Sequence, residues 1–484
     1  MHRSFVSQLP IPLSSAIASL SRCSNTHRAL LLALSLSVLA GCAVAPLPEL
    51  KPPVPGEWRN APAGGVAAAP ADLRGWWQAL GDPELDALIA RALKDNLDVA
   101  QATERLMMAR GLNRHARDGY LPNLHAKTND VINPDTSASY FVVGFDAQWE
   151  LPLFGAWQSA QRVAQGQLNG AQAALHGAQV SLVAEVSRRW IELRSAQRQA
   201  QAFTAIRDAQ REKLRLLQVR QQLQLAPSIE IAKAQAELAR AEAALAEPTQ
   251  TINASVQQLA VLVGQSEPDP QWLQPGPQPQ LGQWQLASAP ADLLRTRPEI
   301  ASAEAEVLRA AGQLGLSRAD MYPHIGIGTS LQWSVNTASN HRARTGEGIY
   351  SIGPIIDIPL FDWGQRVANA HAKDHELRAA VFAYRQAVLQ GVAEAETALG
   401  NLEQLRLREL ASQQVTQATE QGMVAMRKRN ELGLASTLDM QDNLIEGQRT
   451  ELELVNVRAA RSLAYVALYK ALGGAPLPQK TDAN

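Results

Sequence analysis

Asp439 and Asp442 stand three residues apart in a proline-free run of helical composition, which puts both carboxylates on one helix face. Such a pair concentrates negative potential and favours cations nearby. Ser436 offers another reading: three residues ahead of Asp439, it can cap a helix whose first turn holds that aspartate. Capping accounts for Asp439 and leaves Asp442 unexplained. His371 and His375, four apart, could share a metal, but no third ligand accompanies them, and a solvated helix face is the preferred reading. The sequence has no Walker A loop, no Gly-x-Ser-x-Gly elbow and no cysteine pair for zinc. No catalytic, cofactor-binding or metal site is therefore assigned.

The two cysteines belong to the N-terminus. Arg28 precedes an apolar run, Ala29–Ala40, too short to span a bilayer as a helix. The run ends in Leu39-Ala40-Gly41-Cys42, which resembles a bacterial lipobox, so residues 1–41 are expected to be a lipoprotein signal peptide and Cys42 a lipidated N-terminus. Cys23 leaves with the leader, so the mature chain can form no internal disulfide. Ala43 after the cysteine, again by resemblance to bacterial lipoproteins, implies sorting to the outer membrane. Residues 42–75, rich in Pro, Ala and Gly, read as an extended tether. A formal net charge of −1 gives no reason to expect nucleic acid as a partner, and 5% aromatics with abundant Ala, Gln and Leu suggests long helices.

The aspartates lie at a bend that occurs twice. Leu225-Ala226-Pro227-Ser228-Ile229-Glu230 and Leu434-Ala435-Ser436-Thr437-Leu438-Asp439 each follow a proline-free run, Trp157–Gln224 and Gly364–Gly433. Each run is about 70 residues, or about 100 Å of helix. Shorter runs return, Ile229–Val263 and Leu438–Leu472, covering half of each outgoing arm. A helix after Gly81-Asp82-Pro83, running to about Gly119, supplies the missing half; Leu85, Leu88, Ile89, Ala92 and Leu93 give it one apolar face.

The pattern repeats along the chain. Asn96 to Pro122 aligns without a gap to Arg297 to Pro323, with Gly111 on Gly312 and Leu121-Pro122 on Tyr322-Pro323. Leu151-Pro152-Leu153-Phe154 matches Ile358-Pro359-Leu360-Phe361, and Val183-Ala184-Glu185 matches Val392-Ala393-Glu394. The chain reads as a tandem duplication: residues 76–266, a Pro/Gln-rich link over 267–290, residues 291–474, and a tail over 475–484.

Between the short and long helices of each half the period falls to two. Leu124–Ile132 with Val143–Phe154, and Ile325–Trp333 with Tyr350–Leu360, give four strands of bilayer-spanning length. One face carries Val143, Phe145, Ala147 and Trp149; the other carries Asp146, Gln148 and Glu150, with Asp357 in the second half. The alternative is a soluble hairpin packed on the helices. Four strands cannot close a spanning barrel, so spanning requires oligomerisation. Val183, Val186, Trp190 and Leu193, and Val388, Val392, Ala395, Leu399 and Leu402, have the 3/4 spacing of coiled-coil packing.

Trp76-Trp77, Gly81-Asp82-Pro83-Glu84-Leu85, Asp292-Leu293-Leu294-Arg295-Thr296-Arg297-Pro298-Glu299, Pro359-Leu360-Phe361-Asp362 and Gly433-Leu434-Ala435-Ser436 follow in order. With these markers, residues 76–474 resemble the outer-membrane factors of tripartite efflux systems, the TolC/OprM-like group including NodT-type lipoproteins. The resemblance implies a mainly α chain with a membrane β-barrel: four strands per protomer, a homotrimeric twelve-stranded barrel and a helical tunnel through the periplasm. It implies a passive exit duct for drugs or other small molecules, with no cofactor, set in outer-membrane lipid. The expected partners are a periplasmic adaptor (membrane fusion) protein and an inner-membrane pump of RND or major-facilitator type.

The resemblance places Asp439 and Asp442 at the periplasmic aperture, as carboxylate rings under threefold symmetry. It places Leu225, Ala226, Pro227, Ser228, Gly433, Leu434, Ala435 and Ser436 at tips that contact the adaptor, and Asp146, Gln148, Glu150 and Asp357 on the barrel lumen. Asn430 and Ala435 depart from TolC-like tips, which carry an aromatic and an arginine there, so the salt bridges that lock such tips are not expected. The competing class is a periplasmic coiled-coil adaptor or structural protein, for which the sequence offers no lipoyl-like or β-barrel domain.

Overall fold

The computed structural model describes residues 46–50, 58–60, 73–131, 140–282, 296–336 and 349–475. Cys42 and most of the expected tether and tail lie outside the described residues. The chain divides into two compact units. One comprises Met1–Pro48, Asn113–Gln165 and Leu308–Arg378; the other comprises Glu49–Leu112, Gly166–Val307 and Ala379–Asn484.

The larger unit is helical. Asp82 opens α1 (Pro83–Asp95) by accepting from the Glu84 and Leu85 amides at 3.0 and 3.2 Å, with Pro83 at the first position, where its missing N–H costs nothing. Leu85, Leu88, Ile89 and Ala92 are buried, as their spacing requires. The single 36-residue helix expected here is two. Asn96 ends α1 and starts α2 (Leu97–Arg114): its side-chain oxygen takes the amides of Asp98 and Val99 at 2.9 and 3.1 Å, and its Nδ2 donates to the Leu262 carbonyl at 2.9 Å.

The long arms are α3 (Ala156–Gln222) and α7 (Gln365–Glu431), each 67 residues. The return arms differ. After α7 comes one continuous helix, α8 (Thr437–Ala471). After α3 the return is broken into α4 (Ser228–Ala243) and α5 (Ala246–Leu262), against the expectation of one run. Pro248 is the cause: it has no amide to donate and its ring crowds the carbonyl four residues back, that of Ala244, where the helix breaks. Val183, Val186, Trp190 and Leu193 are buried, as are Val388, Ala395, Leu399 and Leu402; Val392 is half-buried. Full burial of side chains of this size contributes about 1.5–3 kcal/mol each.

The Pro/Gln-rich segment is more than a link. Trp272 is buried in a short 3-10 turn (Pro270–Leu273), and its carbonyl accepts from Gln197 at 2.8 Å. Gln278 is also buried and donates to Ser195 and to the Val455 carbonyl at 3.0 and 2.9 Å. Within the expected tether, Trp58 is buried, and the amides of Arg59 and Asn60 donate to Glu396 on α7 at 2.7 and 3.1 Å.

The smaller unit holds the sheet. β1 (Asn123–Val131), β2 (Tyr140–Glu150), β3 (His324–Asn336) and β4 (Ile349–Asp357) pair antiparallel in the order β1-β2-β3-β4. β2 and β4 stop earlier than the alternation suggested, just before Pro152 and Pro359, because proline cannot donate to a ladder. Phe154 and Trp363 then take left-handed backbone (φ 52° and 57°), each followed by a left-handed glycine, and the chain turns into the long helices. α6 (Pro298–Ala319) approaches α3 closely: a Cβ on Gly312 would lie 2.7 Å from the Ser159 carbonyl oxygen. Among the described residues, no helix is long and apolar enough to cross a membrane, which says nothing about strands.

Candidate functional site

Two polar settings stand out, the helix bends and one face of the sheet. At the first bend the Leu225 amide reaches back to the Arg220 carbonyl at 2.8 Å, and at the second the Leu434 amide reaches Arg429 at 2.8 Å. This closure needs a left-handed residue. Gln224 supplies it in the first bend (φ 61°) and Gly433 in the second (φ 70°). Asn430 donates to the Ala435 carbonyl at 3.0 Å, so this departure from the TolC-like tip closes its own turn.

Ser436 caps α8. Its hydroxyl oxygen accepts from the Asp439 amide at 3.1 Å, while Asp439 accepts from the Ser436 amide at 2.9 Å and from its hydroxyl at 2.7 Å. These bonds, the hydroxyl's first, hold the Asp439 carboxyl below the usual carboxylate range; Arg429 and Arg220 add to this, and burial opposes it. Asp442, one turn on, pairs with Lys213 of α3. The structure thus brings both aspartates to one exposed stretch of α8 and gives each an intrachain partner. Sequence reasoning offered Ser436 as a cap with Asp439 in the first turn, and missed both the return bond from Asp439 and Lys213, which lies 229 positions from Asp442. The bends are joined by apolar packing: Leu217, Ile231 and Ala234 form a buried cluster against which Leu438 rests.

On the sheet, the register puts Asp146, Gln148, Glu150 and Asp357 on one face, as their alternation required. Asp146 accepts from Ser330 at 2.7 Å and pairs with Lys127 at 3.5 Å; Glu150 meets His324 Nδ1 at 2.9 Å. The opposite face carries Phe145, Trp149, Ile327, Ile352 and Ile356, all exposed. His371 and His375 are also exposed, and no cluster of three or more metal-ligating side chains occurs among the described residues.

A family model described as outer membrane efflux protein matches residues 88–265 and 289–474. The chain belongs to the outer membrane efflux protein family. It is 27% identical to the pyoverdine export outer membrane protein OpmQ of Pseudomonas aeruginosa, over 90% of this chain and 94% of the relative. It is 28% identical to the outer membrane protein OprJ of the same organism, over 92% and 95%. Its fold matches the open state of the Neisseria gonorrhoeae MtrE outer membrane channel with a TM-score of 0.77 and 24% identity, covering 91% of this chain and all of that one. The efflux family is one of channels, a transport class rather than a catalytic one.

Of the efflux-family markers, Trp76, Asp82, Glu84 and Arg297 are scaffold. Trp76 stacks on Tyr469 (5.3 Å, 17°) and donates to the Gly474 carbonyl at 3.0 Å; the Tyr465 hydroxyl donates to the Trp76 carbonyl at 3.0 Å. Asp82 accepts from the buried Trp190 indole at 2.7 Å. Arg194, itself buried, reaches Glu84 at 2.5 Å, and Arg297 reaches Glu394 at 2.5 Å.

Proposed function

We propose that this chain is the outer-membrane channel subunit of a tripartite efflux system, a passive exit duct for small molecules delivered by an inner-membrane pump through a periplasmic adaptor. The observation that carries it is the four-stranded sheet. Phe145, Trp149, Ile327, Ile352 and Ile356 are exposed on one face, Asp146, Gln148, Glu150 and Asp357 share the other with Ile355, and β1 and β4 are free edges. In lipid such edges are untenable, whereas three copies close a twelve-stranded barrel. The paired halves of the chain, related by tandem duplication, are the units of that closure. Asp146, Gln148, Glu150 and Asp357 then face the lumen, and the apolar face meets lipid. The relatives' names span pyoverdine export, antibiotic efflux and toluene efflux, which supports a duct whose cargo is chosen by its pump.

Cys42 carries a lipid, but the barrel is the principal anchor, since a single lipidated terminus is weak beside it. Phe145→Arg, on the apolar face, should cost about 2–4 kcal/mol near the membrane midplane and reduce trimer recovered from carbonate-washed membranes. Glu150→Gln, on the polar face, should leave the trimer intact. Equal loss from both would refute the face assignment.

At the bends, Asp439 and Asp442 form acidic rings around the periplasmic aperture, and the tips from 225–228 and 433–436 meet the adaptor. Both carboxylates are exposed on one helix face, which supports this role. The Asp439→Ala/Asp442→Ala double variant should lower cation selectivity in single-channel recordings at low salt, where screening is weak. Unchanged selectivity would leave the pair as a helix-start feature and locate the constriction elsewhere.

A further inference from the structure

At the base of its sheet the smaller unit leaves a cavity of about 350 Å³, within the range of about 300–1,000 Å³ for small-molecule sites. Three pieces frame it: the end of β2 with the turn that follows, a short 3-10 turn (Asp118–Tyr120) ahead of β1, and the C-terminus of α6. Local contacts fix these pieces. Phe154, in its left-handed turn, stacks on Tyr322 with rings 4.6 Å apart and 16° from parallel. The Trp149 indole donates to the Tyr120 carbonyl at 3.0 Å. The walls are therefore in place before anything enters.

The lining divides by chemistry. Leu153, Phe154 and Leu316 supply apolar wall, and Tyr120, Glu150 and Asp320 supply oxygen. Burial, then the charges of Glu150 and Asp320, push the Tyr120 phenol above its ordinary pKa, so both carboxylates act on the space beside that ring. Positive charge is scarce there. His324 Nδ1 meets Glu150 at 2.9 Å, whereas Asp320 makes no ion pair among the described residues. Arg318, two residues before Asp320, pairs with Asp374 at 3.6 Å instead. A small anion would meet two carboxylates, and a phospholipid headgroup would bring its phosphate against them. A bare metal ion would leave the apolar wall unused. One positive charge on an apolar body fits both halves of the lining, and the rings of Tyr120 and Phe154 add to the attraction for a cation.

Resting on the channel reading above, we propose that each copy holds at the base of its sheet a binding site for small organic cations with an apolar substituent. The cationic nitrogen sits against Asp320 and Glu150, and the apolar group lies along Leu153, Phe154 and Leu316. Glu150 and His324 belong to the polar face of the sheet. In a channel that face lines the exit path, so the site holds amphiphilic cations on their way out.

The test is equilibrium dialysis of benzyltrimethylammonium against the full chain, purified from outer membranes in dodecyl maltoside, with protein-free micelles as the blank. The parent should bind this cation and should not bind benzenesulfonate, an aromatic anion of similar size. Asp320→Asn, at an exposed position, should weaken binding by about fivefold, the upper end for an exposed ion pair. Asp320→Lys, which brings a cation of its own, should abolish it. Glu150→Gln should weaken it less, because His324 already meets that carboxylate. Asp146→Asn, on the same face but outside the cavity, should change nothing. A parent that takes up no more cation than the micelles overturns the site, as does an Asp320→Asn variant that binds as well as the parent. Equal weakening by Asp146→Asn also overturns it, leaving only a diffuse negative potential along the face. Planar-bilayer recording of the same preparation separates the site from the channel. A parent that conducts without binding the cation loses the site and keeps the channel reading. A parent that binds it without conducting overturns the exit path on which the proposal rests.

Discussion

The two bends have the same closure and the same job of reversing a 67-residue helix, yet they are built from different chemistry. The second is locally complete. Gly433 takes the left-handed position without a Cβ clash, Asn430 ties down the Ala435 carbonyl, and Ser436 and Asp439 satisfy each other's amides before an unbroken return helix. The first bend has Gln224 in the left-handed position, Pro227 before the return helix with no side-chain cap, and a return arm broken at Ala244-Leu245. Its order comes from packing, through Leu217, Ile231 and Ala234 with Leu438 of the second bend laid on them. One turn is held by its own hydrogen bonds and the other by its neighbours.

The largest expected effect comes from breaking that shared cluster. Leu217→Ala removes a buried side chain and should cost about 2–5 kcal/mol locally. Amide exchange should accelerate over residues 214–234 and, because Leu438 loses its seat, over 434–442 as well. Acceleration confined to the first bend would show that the second does not lean on it. Next in size is the cap. Ser436→Ala should destabilise the start of α8 by about 1 kcal/mol, read as faster exchange over 436–441. Ser228→Ala, the residue after the Pro227 that stands where Ser436 does, should change little, since no side-chain cap bond is made in the first bend. Equal effects would erase the contrast.

How much of this was legible in the sequence depends on how far apart the cooperating residues lie. The long arms were readable because about 70 residues without proline leave helix as the consistent choice. The strands were readable from period-two alternation, and Pro152 and Pro359 could have set their ends. Ser436, three residues ahead of Asp439, was readable as a helix cap, though not the bond that Asp439 returns to it. The breaks at Asn96 and before Pro248 had signals too, a cap-forming Asn followed by Asp98 and a proline within a helical run; periodicity on both sides masked them. What could not be read were partners brought together by tertiary packing: Asp82 with Trp190, Glu84 with Arg194, Glu394 with Arg297, Asp442 with Lys213. The family resemblance singled out the marker residues, but only the fold shows that Trp76 and Arg297 hold helices together.

A smaller effect, of opposite sign, comes from improving the weaker bend. A non-glycine residue in left-handed backbone is disfavoured by about 1–2 kcal/mol, and the greater freedom of glycine in the unfolded chain takes some of that back. Gln224→Gly should therefore stabilise the first bend by about 0.5–1 kcal/mol, slowing exchange over 221–228. Gly433→Gln should destabilise the second bend by a similar amount. If Gln224→Gly changes nothing, the glutamine side chain has compensating contacts and the first bend is not the strained one.

The subtlest distinction is in acid. Asp439 is held below its ordinary pKa of 3.8 by its bonds to Ser436. A carboxylate lowered in the folded state stabilises fully above the unfolded value, and that stabilisation is lost as pH falls through the folded one. The second bend should therefore be insensitive to pH between 5 and 8 and loosen only below about 4, whereas the first has no carboxylate bonded into its cap. Pepsin, active in acid, can report this as the ratio of cleavage near Leu434 to cleavage near Leu225 as pH is lowered. The ratio should rise in the parent and stay flat in Asp439→Asn, which keeps an acceptor at that position but has no proton to gain. A rise in both proteins would locate the acid response outside the Ser436–Asp439 cap.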